Sequence, residues 1–134
     1  PGFNGGLMST FSTARAALAT QIAANTTYST FAYPQPIPQA LSVQIVPDDP
    51  YVVSTNSKYN LAAKLRLRVE MFVPIWDNQG NLEQLETIAA TVRGLILDAT
   101  QNCGDLSQPR VVSLDTGDLL TAYFPVEIIS NWSA

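Results

Sequence analysis

The chain has 134 residues, the length of one ordinary domain, and its formal net charge at neutral pH is −4. This acidic balance argues against general nucleic-acid binding and against docking on an anionic membrane, because both depend on clustered basic residues. The sequence contains no histidine and one cysteine, which excludes Ser-His and Cys-His catalysis, histidine-based zinc sites and an internal disulfide.

Charged side chains make up only 13% of the sequence, about half of the ~25% that is usual for a soluble domain. Two explanations are open: neutral polar residues solvate the surface, or other protein molecules cover part of it. No apolar run approaches the roughly 20 residues of a membrane span, and the first residues lack the pattern of a signal peptide. We therefore expect no membrane association.

The beginning of the sequence is rich in glycine and uncharged, so residues 1–8 are predicted to form a flexible arm. Phe3 is a large apolar side chain of this arm, and we expect it to become ordered against a neighbouring molecule in an assembly. Residues 9–134 are predicted to form a single domain. Its first element is a helix that stops near Asn25, because apolar residues recur at helical spacing. These residues are Phe11, Ala14, Leu18 and Ile22.

A proline-rich segment follows at residues 33–38, and it predicts an extended linker, because three prolines remove three backbone donors. Residues 41–46 alternate weakly and are predicted to form a strand. Residues 47–50, with the sequence Pro-Asp-Asp-Pro, are predicted to form a turn. Residues 51–53 are then predicted to form a short second strand.

The clearest pattern in the sequence is the strict alternation over residues 61–73. Apolar residues occupy the odd positions, which predicts a long strand with one buried face. Lys64, Arg66 and Arg68 occupy even positions and form what we call the charged stripe. The stripe has two explanations: a solvated sheet face that resists aggregation, or a surface that meets an acidic partner.

Like charges on one strand face repel one another, at roughly 7 Å between neighbouring positions of the stripe. An acidic partner would turn this repulsion into attraction and orientation. We therefore predict that the charged stripe lies at a surface between subunits or partner proteins. The acidic residues expected to face it from a neighbour are Asp115, Asp118 and Glu127.

The second half of the chain is predicted to begin with a turn at residues 77–80 and a capping box formed by Asn81 and Gln84. A helix is predicted over residues 82–98, because its apolar residues form one stripe. They are Leu82, Leu85, Ile88, Ala89, Val92, Leu95 and Ile96. Residues 102–105 are predicted to end this helix in a loop.

The last elements are predicted to be a strand over 110–114, a hairpin turn over 115–118 and a strand over 120–129. Pro125 falls inside the last strand and predicts an edge position or a bulge, because proline cannot donate a ladder bond. The sequence thus predicts an α+β fold. We expect one domain with a mostly antiparallel sheet of about five strands and two helices packed on one of its faces.

No group of residues points to catalysis, a cofactor or a metal. Asp48 and Asp49 are the one adjacent acid pair, and their flanking prolines favour a turn over a metal site. Residues 115–118 lack the spaced oxygens of a calcium loop. We therefore expect a non-enzymatic protein without cofactors.

The whole-chain pattern resembles the tail terminator proteins of long-tailed bacteriophages, and the resemblance extends over nearly the full length. The features that carry it are the alanine-rich first helix, the proline-rich segment 33–38, the sequence Pro-Asp-Asp-Pro-Tyr-Val-Val at 47–53, the alternating strand over 64–73, the turn at 77–80 before an amphipathic helix, and the closing hairpin that ends with Glu-Ile-Ile at 127–129.

The resemblance implies a structural virion protein at the head–tail junction, made in the host cytoplasm, that caps the tail tube as a homohexameric ring. The implied partners are copies of itself, the major tail tube protein and a head-completion or connector protein, with DNA passing through the ring without sequence-specific binding. One alternative is a head-closure or neck component. Another is a small carboxylate-dependent enzyme or ligand-binding domain, which a deep apolar pocket with converging acids would favour.

Overall fold

The computed structural model describes residues 10–35, 41–54, 62–75, 78–98, 102–114 and 117–131. The predicted arm, with Phe3, and Asp115 lie outside these segments. The elements in chain order are α1 (Thr10–Asn25), β1 (Ser29–Phe31), β2 (Ser42–Ser54), β3 (Ala62–Pro74), α2 (Asn78–Asp98), β4 (Asn102–Cys103), β5 (Arg110–Leu114) and β6 (Gly117–Asn131).

The strands form one sheet in the order β1, β2, β3, β6, and the far edge of β6 pairs with both β4 and β5. The β1–β2 pair is parallel and the other pairs are antiparallel. The sheet is curled as a half-barrel, and with its two helices it makes a single α+β domain. The predicted fold class is therefore confirmed.

Period-2 alternation in β3 and β6 places the core on one face of the sheet, as predicted. Both helices pack against this face, and their apolar residues join the sheet residues in one cluster. The fully buried large side chains are Ile22, Val43, Ile45, Leu65, Leu67, Val69, Met71, Val73, Leu85, Ile88, Val92 and Ile96. Neither helix in the described part of the chain has the length and apolar character needed to cross a membrane.

The predicted turn at residues 47–50 is wrong, because β2 continues through it as one strand. Pro47 pairs with Leu67 and Val52 pairs with Leu65, so residues 48–51 bulge out opposite the single residue Arg66. Pro50 cannot donate a ladder bond, and its position in the bulge removes that requirement. We call residues 48–51 the β2 bulge.

The β2 bulge has contacts toward the helical side of the sheet through Tyr51. The ring of Tyr51 packs against the core cluster, and its hydroxyl accepts a hydrogen bond from Nη1 of Arg15 in α1. Arg15 is the one charged residue among residues 1–47. The bulge and the first helix are thus joined directly.

The number of strands differs from the prediction, since the sheet has six strands instead of about five. The two predicted strands over 41–46 and 51–53 are one strand, whereas β1 and β4 were not predicted. Both additional strands are too short to show a periodic pattern, and they exist because a longer neighbour offers them ladder bonds.

Helix α2 begins at Asn78, four residues before the predicted start at Leu82. The predicted turn at 77–80 and the predicted capping box at Asn81 and Gln84 are therefore wrong. The sequence Asn-Gln-Gly favours turns locally, yet it forms the first turn of the helix. Leu85, Ile88 and Val92 are buried as predicted, whereas Leu82 is exposed.

Pro125 occupies an internal strand and has no amide proton to donate. It lies in the part of β6 between Thr121, which pairs with β5, and Val126, which pairs with β4. The loop after β4 fills this interval. The amide of Gly104 donates to the carbonyl oxygen of Pro125 over 2.7 Å. Ser107 and Tyr123 exchange two hydrogen bonds of 2.9 Å, one from each backbone amide. Pro125 therefore has the environment of an edge position, although its strand is not an edge strand.

We predict that Gly104→Ala destabilises the protein, because the added Cβ would lie 2.6 Å from Cγ of Pro125. Overpacking of this kind costs about 1–3 kcal/mol of unfolding free energy. The matched control is Gly94→Ala, whose Cβ meets nothing within 4 Å on an exposed helix position. There alanine should stabilise by up to about 1 kcal/mol. Urea unfolding followed by circular dichroism measures both, and equal effects of the two changes would contradict this packing.

Candidate interaction face

The sheet face away from the helices, which we call the outer face, carries the charged stripe. Even-numbered residues of β3 and odd-numbered residues of β6 point to this side, because successive residues of a strand alternate between faces. The register places Lys64 opposite Ile129 and Arg66 opposite Glu127. The stripe thus runs beside an acidic and an apolar side chain of the same chain.

Arg66 is the centre of a charged group on the outer face. Its Nη2 lies 3.5 Å from Oδ2 of Asp48, and its Nε lies 3.9 Å from Oε2 of Glu127. Its Nη1 donates to the carbonyl oxygen of Pro50 over 3.4 Å. These distances exceed the ~2.7–2.9 Å of a close charge-assisted bond, and all three charged side chains are partly exposed. Each pair therefore contributes only about 0.2–1 kcal/mol.

Arg68 belongs to a second polar group farther along the same face. Its Nη2 lies 3.4 Å from Oε2 of Glu70, and its guanidinium lies over the ring of Tyr123 at 5.1 Å from the centroid. Oε1 of Glu70 accepts a hydrogen bond from Nε2 of the buried Gln44, whose Oε1 accepts the amide of Gln35. Side chains of three adjacent strands are thereby connected.

These contacts change the interpretation of the charged stripe. Repulsion between uncompensated charges was part of the prediction, yet Arg66 and Arg68 have acidic partners within the chain. Glu127 does face the stripe, but from the neighbouring strand of the same chain. Lys64 is exposed and makes no ion pair with any residue of the described segments. The role of the stripe at an interface stays a prediction, and it now depends mainly on Lys64.

Asp118 lies far from the stripe. It is exposed at the start of β6, opposite Ser113, and its carbonyl oxygen accepts the amide of Ile75 just beyond the end of β3. Lys64 lies near the other end of β3. The structure thus brings Glu127 to the stripe and places Asp118 at the opposite end of the strand pair.

An open cleft of about 250 Å³ adjoins the charged group of Arg66. It is lined by Asp48, Arg66, Asn102, Cys103, Gly104, Pro125, Val126 and Glu127. The carboxylates of Asp48 and Glu127 carry its negative charge, and the segment around Pro125 supplies apolar surface. We call this the acidic cleft. The cleft was not predicted, because Asp48 was expected in a turn and residues 102–105 were expected only to end the second helix.

The described residues contain no group of three or more Cys, Asp or Glu side chains that could hold a metal ion. The side chains of Asp48, Arg66 and Glu127 give the cleft a surface of mixed charge. Its two carboxylates accept hydrogen bonds, and its one guanidinium donates them.

Cys103 lines the cleft but its side chain packs against the core, since it pairs in register with the buried Val126. Burial raises the pKa of the Cys103 thiol, and the positive charge of Arg93 lowers it by a smaller amount. Because a thiolate is the reactive form, this environment makes Cys103 a poor nucleophile at neutral pH.

We predict that Arg66→Gln lowers the unfolding free energy by about 1 kcal/mol, because it leaves two carboxylates facing each other without the cation between them. Arg110→Gln is the matched control, since Arg110 is an exposed strand residue without an ion pair in the described segments. It should change stability by less than about 0.5 kcal/mol. Equal losses in urea unfolding of the two variants would show that the charged group adds nothing.

We predict slow alkylation of Cys103 by iodoacetamide at pH 7.5. Burial disfavours the thiolate, so the folded protein should react several-fold more slowly than the same chain in denaturant. The rate in folded protein should still be rising at pH values where the denatured chain has reached its plateau. A folded protein that reacts as fast as the denatured chain would contradict the raised pKa.

Comparison with models of known protein families gave no match, and comparison with curated proteins gave none either.

Proposed function

We propose that this chain is a structural virion protein, a tail terminator that closes the tail tube of a long-tailed bacteriophage as a homohexameric ring. The proposal is supported first by the resemblance of the whole-chain pattern to that family. The family that the pattern resembles consists of small proteins with helices and strands, and this chain is a single small α+β domain.

The observation that carries self-assembly is the open half-barrel with exposed apolar side chains along its uncovered parts. Ile129 on the outer face is 63% exposed, and Val111 on β5 is 57% exposed. The outer edge of β5 has no strand beside it within the described residues. Exposed edges and apolar side chains favour association, and a closed assembly of copies would cover them.

The low content of charged residues supports the same proposal, because a surface that other subunits cover does not need charges for solubility. The proposed partners are copies of the chain, the tail tube protein on one side of the ring and a head-completion or connector protein on the other. The net charge of −4 suits a ring through which DNA passes, because an acidic protein does not hold the phosphate backbone.

The alternatives to a tail terminator predict a different binding partner or a larger pocket. A head-closure or neck component would bind the connector and leave the tube end free. An enzyme or ligand-binding domain would need a pocket, and the acidic cleft, at about 250 Å³, is smaller than the ~300–1,000 Å³ of typical ligand pockets.

We predict that the purified chain forms a closed ring of six copies. Native mass spectrometry should give the mass of six 14.5-kDa chains, and negative-stain microscopy should show rings with a central opening. The protein should then co-sediment with isolated tail tubes. Gold labelling should locate it at one end of each tube. A chain that remains monomeric up to roughly 100 μM and leaves tubes unlabelled would refute the proposal, whereas labelling of connectors alone would favour the neck role.

A further inference from the structure

The chemistry of the acidic cleft matches a long basic side chain. Apolar surface from Pro125 and Val126 lies beside the carboxylates of Asp48 and Glu127. A lysine or arginine has the corresponding arrangement, with an apolar stem and a charged end. The guanidinium of Arg66 offsets only one of the two carboxylates, and the neighbouring exposed Asp49 adds further negative charge.

The carboxylates of the cleft have capacity for a second cation. Arg66 approaches both of them at 3.5 and 3.9 Å, which leaves each pair loose. Oε1 of Glu127 has no hydrogen-bond or ion-pair partner within the described segments, and a carboxylate accepts several donors. An incoming ammonium group can therefore bind without displacing Arg66.

The chain itself supplies a suitable cation in Lys64. This residue is exposed, and it has no ion pair in the described part of the chain. It lies on the outer face, one position along the β3–β6 ladder from the Arg66–Glu127 pair on that face, and opposite the exposed Ile129. An exposed ammonium group and an exposed apolar side chain thus lie next to the cleft but outside it.

We propose that Lys64 of one copy inserts into the acidic cleft of a second copy, with Ile129 packing at the same contact. Because Lys64 and the cleft lie side by side on one face, the contact is reciprocal about a two-fold axis, with each copy giving its Lys64 to the other. It rests on the self-association proposed above, but it is separate from the head-to-tail contacts that would close the ring. Complementary charge is the reason for choosing a second copy, since a chain with a net charge of −4 needs local opposite charges to approach itself. The contact would weaken as salt concentration rises.

The test uses charge reversal on each side of the contact. Lys64→Glu and Glu127→Lys should each weaken self-association about tenfold in sedimentation at low salt, because each opposes like charges. An equimolar mixture of the two variants should recover wild-type association, since Glu at position 64 then meets Lys at position 127. Glu127→Gln, which adds no charge beside Arg66, should weaken association by a smaller factor.

The matched control is Glu86→Lys, which makes the same change in net charge as Glu127→Lys on an exposed position of α2. It should leave association within about threefold of wild type. Thermal unfolding of every variant separates loss of contact from loss of fold. Two results would overturn this contact and leave the ring proposal standing. One is that Lys64→Glu associates as strongly as wild type, and the other is that the mixture of variants does not regain wild-type association. A monomeric wild-type chain would refute the ring proposal itself.

Discussion

The long antiparallel pairing of β3 with β6 is the constraint on which the rest of the structure depends. Every residue of β3 from Ala62 to Pro74 has a partner in β6, without a register shift. Uninterrupted register keeps the two alternations in phase, so the side chains that both strands give to the core lie on one side of the sheet. The helices cover the apolar side. The charged residues of β3 and Glu127 of β6 consequently lie together on the outer face.

The β2 bulge depends on this pairing and gives the outer face its local charge. Four residues of β2 lie opposite Arg66, and the additional length lets Asp48 reach its guanidinium. Glu127 approaches the same guanidinium from β6. A cation between two carboxylates on neighbouring strands is a weak stabiliser at this exposure, but it fixes where the negative charge lies. The cleft results from this placement and from the interval between β4 and β5.

The long elements could be predicted from the sequence because their patterns are local. Alternation fixed the faces of β3 and β6, and the apolar stripe located most of α2. The β2 bulge could not be distinguished from a turn, since Pro-Asp-Asp-Pro suits both. The segment is a bulge because Pro47 and Val52 both pair with β3. These pairings are long-range contacts that a local pattern does not show. Strand register is also a long-range property. Glu127 was therefore predicted to face the stripe from a neighbouring molecule, whereas it lies opposite Arg66 of the same chain.

The β2 bulge also has a mechanical consequence, because it is anchored on both sides of the sheet. Asp48 holds its beginning to Arg66 on the outer face, and Tyr51 holds its end to the core and to Arg15 of the first helix. Only two residues separate these anchors. A backbone path of only four residues, from Asp48 to Tyr51, therefore connects the charged group of the outer face with the first helix.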